Sequence, residues 1–122
     1  MELPRHFNRY VTKNIAMEMS VRIEESHTHL IKIYTASVLN LSLNGICFMT
    51  EIPVLGGHLV DITLSLKQRT FELNAATIWM KEFFQDNNKY YTTGAQIHFK
   101  DGPLFNMWLN FIRALDNIQR RR

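Results

Sequence analysis

The sequence has little cysteine, proline and glycine, and each shortage excludes a class of structure. Of its 122 residues, one is cysteine (Cys47), three are proline and five are glycine. A single cysteine excludes an intrachain disulfide framework and a zinc site built on several cysteines. No repeat, low-complexity tract or linker interrupts the chain, so we expect one domain over 1–122.

Long apolar runs are also missing. The apolar stretches extend over a handful of residues, which is too short to cross a bilayer. The first ten residues carry Arg5 and Arg9 without an apolar segment, so we expect no secretory signal. Few residues precede Arg5, so we also expect no attached output domain on this side of it. These features predict a cytoplasmic protein in a reducing compartment, with no membrane span.

Positive charge is scarce outside one end of the chain. The formal net charge of +3 equals the charge of the three arginines at 120–122, which leaves the remaining chain near neutrality. A duplex-binding face needs positive charge spread over a groove-sized surface, so we expect no DNA binding. Hydrophobic residues make up 46% and charged residues 20%, a balance typical of a soluble domain with one core.

Alternation of apolar and polar residues is the main pattern present. A period of two predicts strands with one buried face, separated here by turns such as Asn44-Gly45 and 86–89. About six short strands at this spacing favour a sandwich or a small barrel. The predicted strands are 17–24, 30–41, 46–50, 60–67, 71–81 and 90–99.

The apolar period changes after residue 100. Asp101 suits a helix cap and Pro103 suits the first helical turn. Apolar residues then recur at steps of three and four, which predicts one amphipathic helix that lies over the barrel as a lid or, alternatively, forms a dimer seam. The stripe comprises Leu104, Trp108, Phe111, Leu115 and Ile118, widened by Phe105, Leu109 and Ile112.

Two short motifs carry recognisable chemistry. Residues 5–9 read Arg-His-Phe-Asn-Arg, an RxxxR pattern directly before the first predicted strand. Residues 40–45 read Asn-Leu-Ser-Leu-Asn-Gly, an NxSxxG pattern between two predicted strands. Taken alone, the first motif is also compatible with a solvated basic arm and the second with a hairpin turn.

Together the motifs resemble those of the PilZ domain, a bacterial receptor domain for cyclic di-GMP. About thirty residues with two strands separate Arg9 from Asn40, and the segment 94–99 is similar to the glycine-containing last barrel strand of that family. The resemblance covers nearly the whole chain. It implies an all-β fold, a six-stranded antiparallel split barrel followed by an α-helix. It divides the chain into an arginine-containing switch loop (1–12), a barrel (13–100), and a helix with a basic tail (101–122).

The resemblance also implies a ligand and a site. Cyclic di-GMP is a dianion with two guanines, and no further cofactor is implied. Arg5 and Arg9 would contact its phosphates and guanine edges, because the guanidinium fork matches both bidentately. The ligand would draw this loop onto the barrel and change the surface offered to a partner protein. The remaining implied ligand residues are Asn40, Ser42 and Gly45, with His6, Asn8 and Gly94 as additional candidates; Pro4, before the motif, leaves open whether one ligand or a stacked pair binds.

Three other interpretations remain open. An enzyme would need the pair His27 and His29 as metal ligands or Cys47 as a nucleophile, and neither has the usual neighbours in sequence, so we expect no catalysis. A protein that acts only as an adaptor would not need the arginine motif. An RNA- or single-strand-binding barrel would use an aromatic and basic patch. The patch residues are Phe83, Phe84, Tyr90 and Tyr91, with Lys81 and Lys89.

Overall fold

All strand pairings in the described part of the chain are antiparallel. A computed structural model describes residues 10–11, 17–24, 30–54, 59–66 and 69–120. These residues form seven strands and one helix: the six predicted strands and the predicted helix in the predicted order, preceded by a short strand inside the segment 1–12 that was expected to be a loop. They are β1 (Tyr10–Val11), β2 (Glu18–Glu24), β3 (Ile31–Leu41), β4 (Gly45–Thr50), β5 (Leu59–Leu66), β6 (Arg69–Gln85), β7 (Asn88–His98) and α1 (Gly102–Arg120).

The six longer strands close into a barrel. Their order is β3-β2-β5-β6-β7-β4, and β4 pairs again with β3 to complete the ring. The short strand β1 lies outside this ring and pairs with the end of β3. A closed sheet leaves few unpaired edges, which explains how a chain with short, half-polar strands forms one stable core. The predicted six-stranded antiparallel barrel with a C-terminal helix is confirmed.

The alternation read from the sequence defines the inner face of the barrel. From Val60 to Leu64 on β5 and from Phe71 to Thr77 on β6, every second side chain is buried, while the residues between them are half-buried or exposed. Inward residues from neighbouring strands share one register, so they pack in layers. Those of β5 and β6 are Val60, Ile62, Leu64, Phe71, Leu73, Ala75 and Thr77.

Helix α1 packs its apolar face on this core, as the lid interpretation predicted. Trp108, Phe111, Ile112 and Leu115 are buried at steps of three, one and three residues. The indole of Trp108 meets Phe71 of β6 edge to face, with ring centroids 5.2 Å apart. No helix in the described ranges has the length and apolar content that a membrane span requires.

The hairpin of β6 and β7 is longer than predicted. The sequence pattern placed the strand ends at residues 81 and 90, whereas pairing continues to Gln85 and Asn88. Asp86 and Asn87 form the turn with φ angles of 53° and 68°, a conformation that these two residue types tolerate well. Polar residues near the tip of the hairpin led the sequence pattern to end both strands too early, whereas cross-strand pairing extends them. Phe83 stacks on Tyr90 at a centroid distance of 5.5 Å.

Loss of the helix cap should destabilise the fold measurably. The Asp101 carboxylate accepts a hydrogen bond of 2.8 Å from the backbone N–H of Leu104. We expect Asp101→Ala to lower the free energy of unfolding by about 1 kcal/mol and the melting temperature by about 4 °C. Asp101→Asn keeps an acceptor and should recover most of this loss. Equal urea midpoints for Asp101→Ala and the wild type would show that the cap adds nothing.

Candidate functional site

The turn between β3 and β4 contains the NxSxxG motif and is closed by a compact set of hydrogen bonds. The backbone N–H of Ser42 donates to the carbonyl of Gly45 at 2.9 Å, and that of Ile97 donates to the carbonyl of Asn44 at 2.8 Å. The hydroxyl of Ser42 lies 3.3 Å from Oδ1 of Asn44 and 3.4 Å from the carbonyl oxygen of Gly45. The turn is therefore fixed both within itself and to β7.

Helix α1 supports this turn from the inside. The indole N–H of Trp108 donates to the carbonyls of Ser42 at 3.2 Å and Leu43 at 3.0 Å. Trp108 itself is fully buried. Carbonyl groups directed toward a core need a donor there, because they have given up their bonds to water. The helix thus supplies the donor that allows the turn to lie against the barrel core.

A row of paired residues crosses the outer face of the barrel beside the turn. Asn40 on β3 pairs with Cys47 on β4, Cys47 pairs with Gly94 on β7, and Gly94 pairs with Trp79 on β6. The neighbouring row, which faces inward, comprises Leu41, Ile46, Ala95 and Thr77, all buried. Four adjacent strands span about 14 Å, which is a suitable width for a dinucleotide.

Both ends of the outer row owe their orientation to β-bulges. The pairing shifts between Val38 and Asn40 on β3 and again between Thr77 and Trp79 on β6. Each shift inserts one extra residue, so Asn40 and Trp79 face outward although strict alternation would place them inside. Bulges commonly turn side chains in this way beside functional sites.

The middle of the row has small side chains. Cys47 is 5% exposed, and Gly94 and Gly45 are buried although they lie on the outer face. The indole of Trp79 fills the space above Gly94, where a Cβ atom would clash with the ring. None of the four residues in the row carries a carboxylate, so the floor of the site adds no repulsion toward an anion.

The structure brings several of the predicted site residues together. Asn40, Ser42, Gly45 and Gly94 all lie in or beside the turn and the outer row. Ser42 is expected to contact the ligand, but its side chain is 7% exposed and its hydroxyl contacts the turn itself. The predicted ligand residues of the N-terminal motif, Arg5, His6, Asn8 and Arg9, lie outside the described residues.

Two residues of this region were not identified from the sequence. Trp108 was assigned to the apolar stripe of the helix, and its hydrogen bonds to a turn more than sixty residues away leave no local sequence signal. Trp79 belongs to the predicted strand 71–81, where strict alternation predicts an inward side chain. Sequence alternation cannot indicate the bulge that turns it outward.

The residues of the rival interpretations are only partly described. His27 and His29 lie outside the described residues, and no cluster of three His, Cys, Asp or Glu side chains suited to a metal occurs within them. In the aromatic patch, Lys89 forms an ion pair of 3.2 Å with Glu82, and this hydrogen bond raises the pKa of Lys89. Lys89 also lies 5.6 Å from the ring centroid of Tyr91. These lysine and aromatic groups therefore contact one another on the hairpin.

Comparison with protein-family models and with curated protein sequences gave no match. Solved structures, in contrast, match over nearly the whole chain. The complex of MrkH from K. pneumonia with c-di-GMP aligns with a TM-score of 0.78 at 16% identity, over 98% of this chain and 56% of MrkH. This chain therefore spans about half the length of MrkH.

Two further structures extend the comparison. The c-di-GMP-bound PilZ domain of YcgR from Escherichia coli aligns with a TM-score of 0.71 at 15% identity, over 98% of this chain and 96% of that domain. PlzA from Borreliella burgdorferi, in complex with c-di-GMP, aligns with a TM-score of 0.57 at 14% identity, over 89% of this chain and 48% of PlzA. The barrel, its closure through β3 and β4 and its C-terminal helix are accordingly those of a PilZ fold.

Proposed function

We propose that this chain is a receptor for cyclic di-GMP. The ligand orders the RxxxR segment onto the barrel, and the changed surface is offered to a downstream partner protein. The proposed ligand residues are Arg5, Arg9, Asn40, Ser42 and Gly45, with His6, Asn8 and Gly94 as additional contacts. No reaction is catalysed.

The position of β1 is the observation that carries this proposal. Tyr10 pairs with Leu41 and Val11 pairs with Asn40, so β1 runs alongside the start of the NxSxxG motif. Arg9 immediately precedes Tyr10 in the sequence. The RxxxR and NxSxxG motifs are about thirty residues apart in sequence. The backbone pairing of β1 with β3 therefore links the strand that follows the first motif to the start of the second motif. A ligand bound on the outer row would lie on the side from which the two arginines approach.

The chemistry of the gathered groups suits a guanine dinucleotide. A guanidinium can bind a phosphate or the O6/N7 edge of guanine through two parallel hydrogen bonds, which a lysine cannot do. The amide of Asn40 can both donate to and accept from a base edge. The residues that follow Asn40 in the row, Cys47 and Gly94, add no charge beside it.

The expected energies are sufficient for a signalling ligand. Charge-assisted hydrogen bonds contribute about 1.5–3 kcal/mol each. Two arginines together with base contacts would reach about −8 kcal/mol after ordering costs, which corresponds to a micromolar dissociation constant. Differential binding of this size is enough to shift a loop between free and docked states.

The hydrogen bonds of Trp108 suggest how binding would reach another surface of the molecule. The turn that carries Ser42 and Leu43 is bonded directly to helix α1. A ligand that stabilises one arrangement of this turn also favours the helix position that bonds to it. The exposed face of the helix, which includes Met107 at 50% exposure, would report that arrangement to a partner.

The fold comparison supports the ligand without establishing it. MrkH, the YcgR domain and PlzA were each solved with c-di-GMP. Identities of 14–16% support the fold alone. The assignment of the ligand to this chain therefore rests on the chain's own two motifs and on the geometry of the outer row. In the aromatic patch of the RNA-binding interpretation, Phe83 and Tyr90 stack on each other, while Phe84 is exposed.

Calorimetric titration of the purified protein with cyclic di-GMP, GTP and cyclic GMP tests the proposal. We expect micromolar binding of cyclic di-GMP and no comparable heat from the other two nucleotides. The absence of heat with cyclic di-GMP would overturn the proposal and favour an adaptor that acts without nucleotide. Salt-sensitive binding of a single-stranded oligonucleotide, with no preference for cyclic di-GMP, would favour the RNA-binding interpretation.

Loss of either motif arginine should weaken binding strongly. We expect Arg9→Ala and Arg5→Ala each to lower the affinity for cyclic di-GMP at least tenfold, because each removes charge-assisted hydrogen bonds. Far-ultraviolet circular dichroism should be unchanged. Arg69→Ala, at an exposed arginine that begins β6, removes the same charge away from the site and should bind like the wild type. Equal affinities for the Arg9, Arg5 and Arg69 variants would remove both arginines from the site.

The effect of the hydrogen bonds that Trp108 donates to the turn should be separable from the effect of its packing in the core. Trp108→Phe keeps an aromatic ring in the core but removes the N–H donor, so we expect a loss of stability of about 1–3 kcal/mol and a severalfold loss of cyclic di-GMP affinity. Phe111→Leu perturbs the same ring cluster without removing a donor. It should lower stability while leaving the affinity unchanged at a temperature where both variants are folded. Equal affinities for the two variants would show that the turn does not need the indole hydrogen bonds.

A further inference from the structure

A slot one strand wide opens in the barrel wall where β4 ends. In the closed sheet, β4 lies between β3 and β7. It ends at Thr50, while β3 begins at Ile31 and β7 begins at Asn88, so both neighbours extend past the end of β4. Adjacent strands are about 4.8 Å apart, which separates β3 from β7 by about 10 Å at this point. That distance leaves space for a single strand.

A local hydrogen bond turns the chain away from this slot after β4. The hydroxyl of Thr50 donates to the backbone carbonyl of Ile52 at 2.6 Å, which closes a tight turn. Beyond the turn, Ile52 is exposed and Val54 is fully buried. The residues described after Thr50, up to Val54, accordingly form no pairing with β3 or β7.

The strand edges on both sides of the slot are open. Between Ile31 and Ala36, β3 pairs with β2 on one side, and no described strand pairs with its other side. Between Asn88 and Tyr90, β7 likewise pairs with β6 alone among the described strands. In an antiparallel strand, main-chain N–H and C=O groups point to both sides in alternation. Each wall of the slot therefore presents main-chain groups that can form a ladder with an added strand.

Apolar side chains border the slot and are exposed to solvent. The groove between the two walls has a volume of about 330 Å³, and its lining includes Ile33, Met49, Ile52 and Tyr90. Ile33 is 69% exposed and Ile52 is 56% exposed, and Ile31, on the same face of β3 as Ile33, is 48% exposed. Exposed isoleucines gathered around one opening form the kind of patch that marks a binding surface. A volume of this size suits a short segment of chain rather than a folded domain.

An acidic side chain lies at the rim of the slot. Glu51 lines the groove, is exposed and forms no ion pair with the described residues. A carboxylate at a rim attracts a basic side chain and repels an acidic one, so it selects among segments more than it adds affinity. The charge of the slot therefore complements a lysine or arginine on the bound segment.

We propose that this slot binds a single extended segment of a partner protein, which lies between β3 and β7 in line with β4. The segment pairs through its main chain with both walls, places aliphatic side chains at alternate positions against Ile33 and Ile52, and directs a lysine or arginine toward Glu51. The walls on both sides leave no room for a strand that already has a neighbour, so the edge of a folded sheet, including β3 of a second copy, does not fit. The inference goes beyond the proposed function, because it requires no cyclic di-GMP.

Selection from a display library of random peptides of about ten residues, with the full chain as bait and without cyclic di-GMP, tests the proposal. We expect the enriched peptides to alternate aliphatic and polar residues, to carry a lysine or arginine and to lack internal proline. An enriched peptide is then synthesised as the probe. No enrichment, or enrichment of peptides without this alternation, would overturn the proposal.

Two matched variants locate the bound probe. Ile33→Lys removes an exposed apolar group from the slot and adds a charge that repels the basic probe, so we expect the affinity to fall about tenfold or more. Leu59→Lys makes a similar change outside the groove, at the first residue of β5, where the leucine is 79% exposed, and it should bind like the wild type. Equal affinities for the two variants would place the probe outside the slot and overturn the proposal.

Amide exchange of the wild-type protein distinguishes the possible occupants. A saturating probe should slow the exchange of alternate amides at the open edges, in β3 from Ile31 to Ala36 and in β7 from Asn88 to Tyr90, because these groups gain acceptors. Unchanged exchange at both edges while the probe is bound would contradict main-chain pairing and overturn the proposal. Sedimentation that shows a dimer of the wild type and a monomer of Ile33→Lys would also overturn it, by assigning the slot to a second copy.

Failure of this inference and failure of the proposed function are separate results. The absence of heat with cyclic di-GMP overturns the receptor function, and the slot is then still judged by the peptide probe. Binding of cyclic di-GMP by the wild type without any enriched peptide overturns the slot alone.

Discussion

The hydrogen bonds from the Trp108 indole to the carbonyls of Ser42 and Leu43 are the contact on which the candidate site depends. They satisfy two acceptors that the turn directs inward, and they do so with a side chain that also fills the core against Phe71. Trp108 thus both packs in the core and donates the hydrogen bonds that these two carbonyls need. As a result, the turn between β3 and β4 has its position set by the last element of the chain as well as by its own sequence.

Around this turn, two departures from regular pairing determine which side chains line the candidate site. A perfectly alternating barrel would place Asn40 and Trp79 inside, where an amide and an indole would need partners in an apolar core. The bulges move both side chains outward at opposite ends of a single row. The two residues between them are Cys47 and Gly94, and the absence of a side chain at Gly94 leaves room for the indole of Trp79.

The sequence predicted the elements better than it predicted their irregularities. Alternation located the strands that became β2 and β5, and composition and turn signals located β3 and the first part of β6. The step of three and four residues located helix α1 with its Asp101 cap. The NxSxxG motif named Asn40, Ser42 and Gly45, and the resemblance of the last strand added Gly94; these residues lie in or beside the turn between β3 and β4, and their role as ligand residues stays a prediction.

What escaped prediction depends on contacts between residues far apart in the chain. A bulge changes which face a residue occupies without changing residue types, so the outward position of Trp79 has no local signature. The donor role of Trp108 arises only when the helix meets the turn, and an apolar stripe cannot distinguish a tryptophan that packs from one that also donates. The extension of β6 to Gln85 likewise depends on its pairing with β7 rather than on its own polar composition.

The short strand β1 has a consequence for how the amino-terminal segment is anchored. It occupies the edge of β3 at Asn40 and Leu41, beyond Ala36, where pairing with β2 has ended. Main-chain ladders are formed by amide groups that every residue except proline possesses. Because proline lacks an amide hydrogen, we expect a proline at residue 10 or 11 to weaken the attachment of this strand to β3.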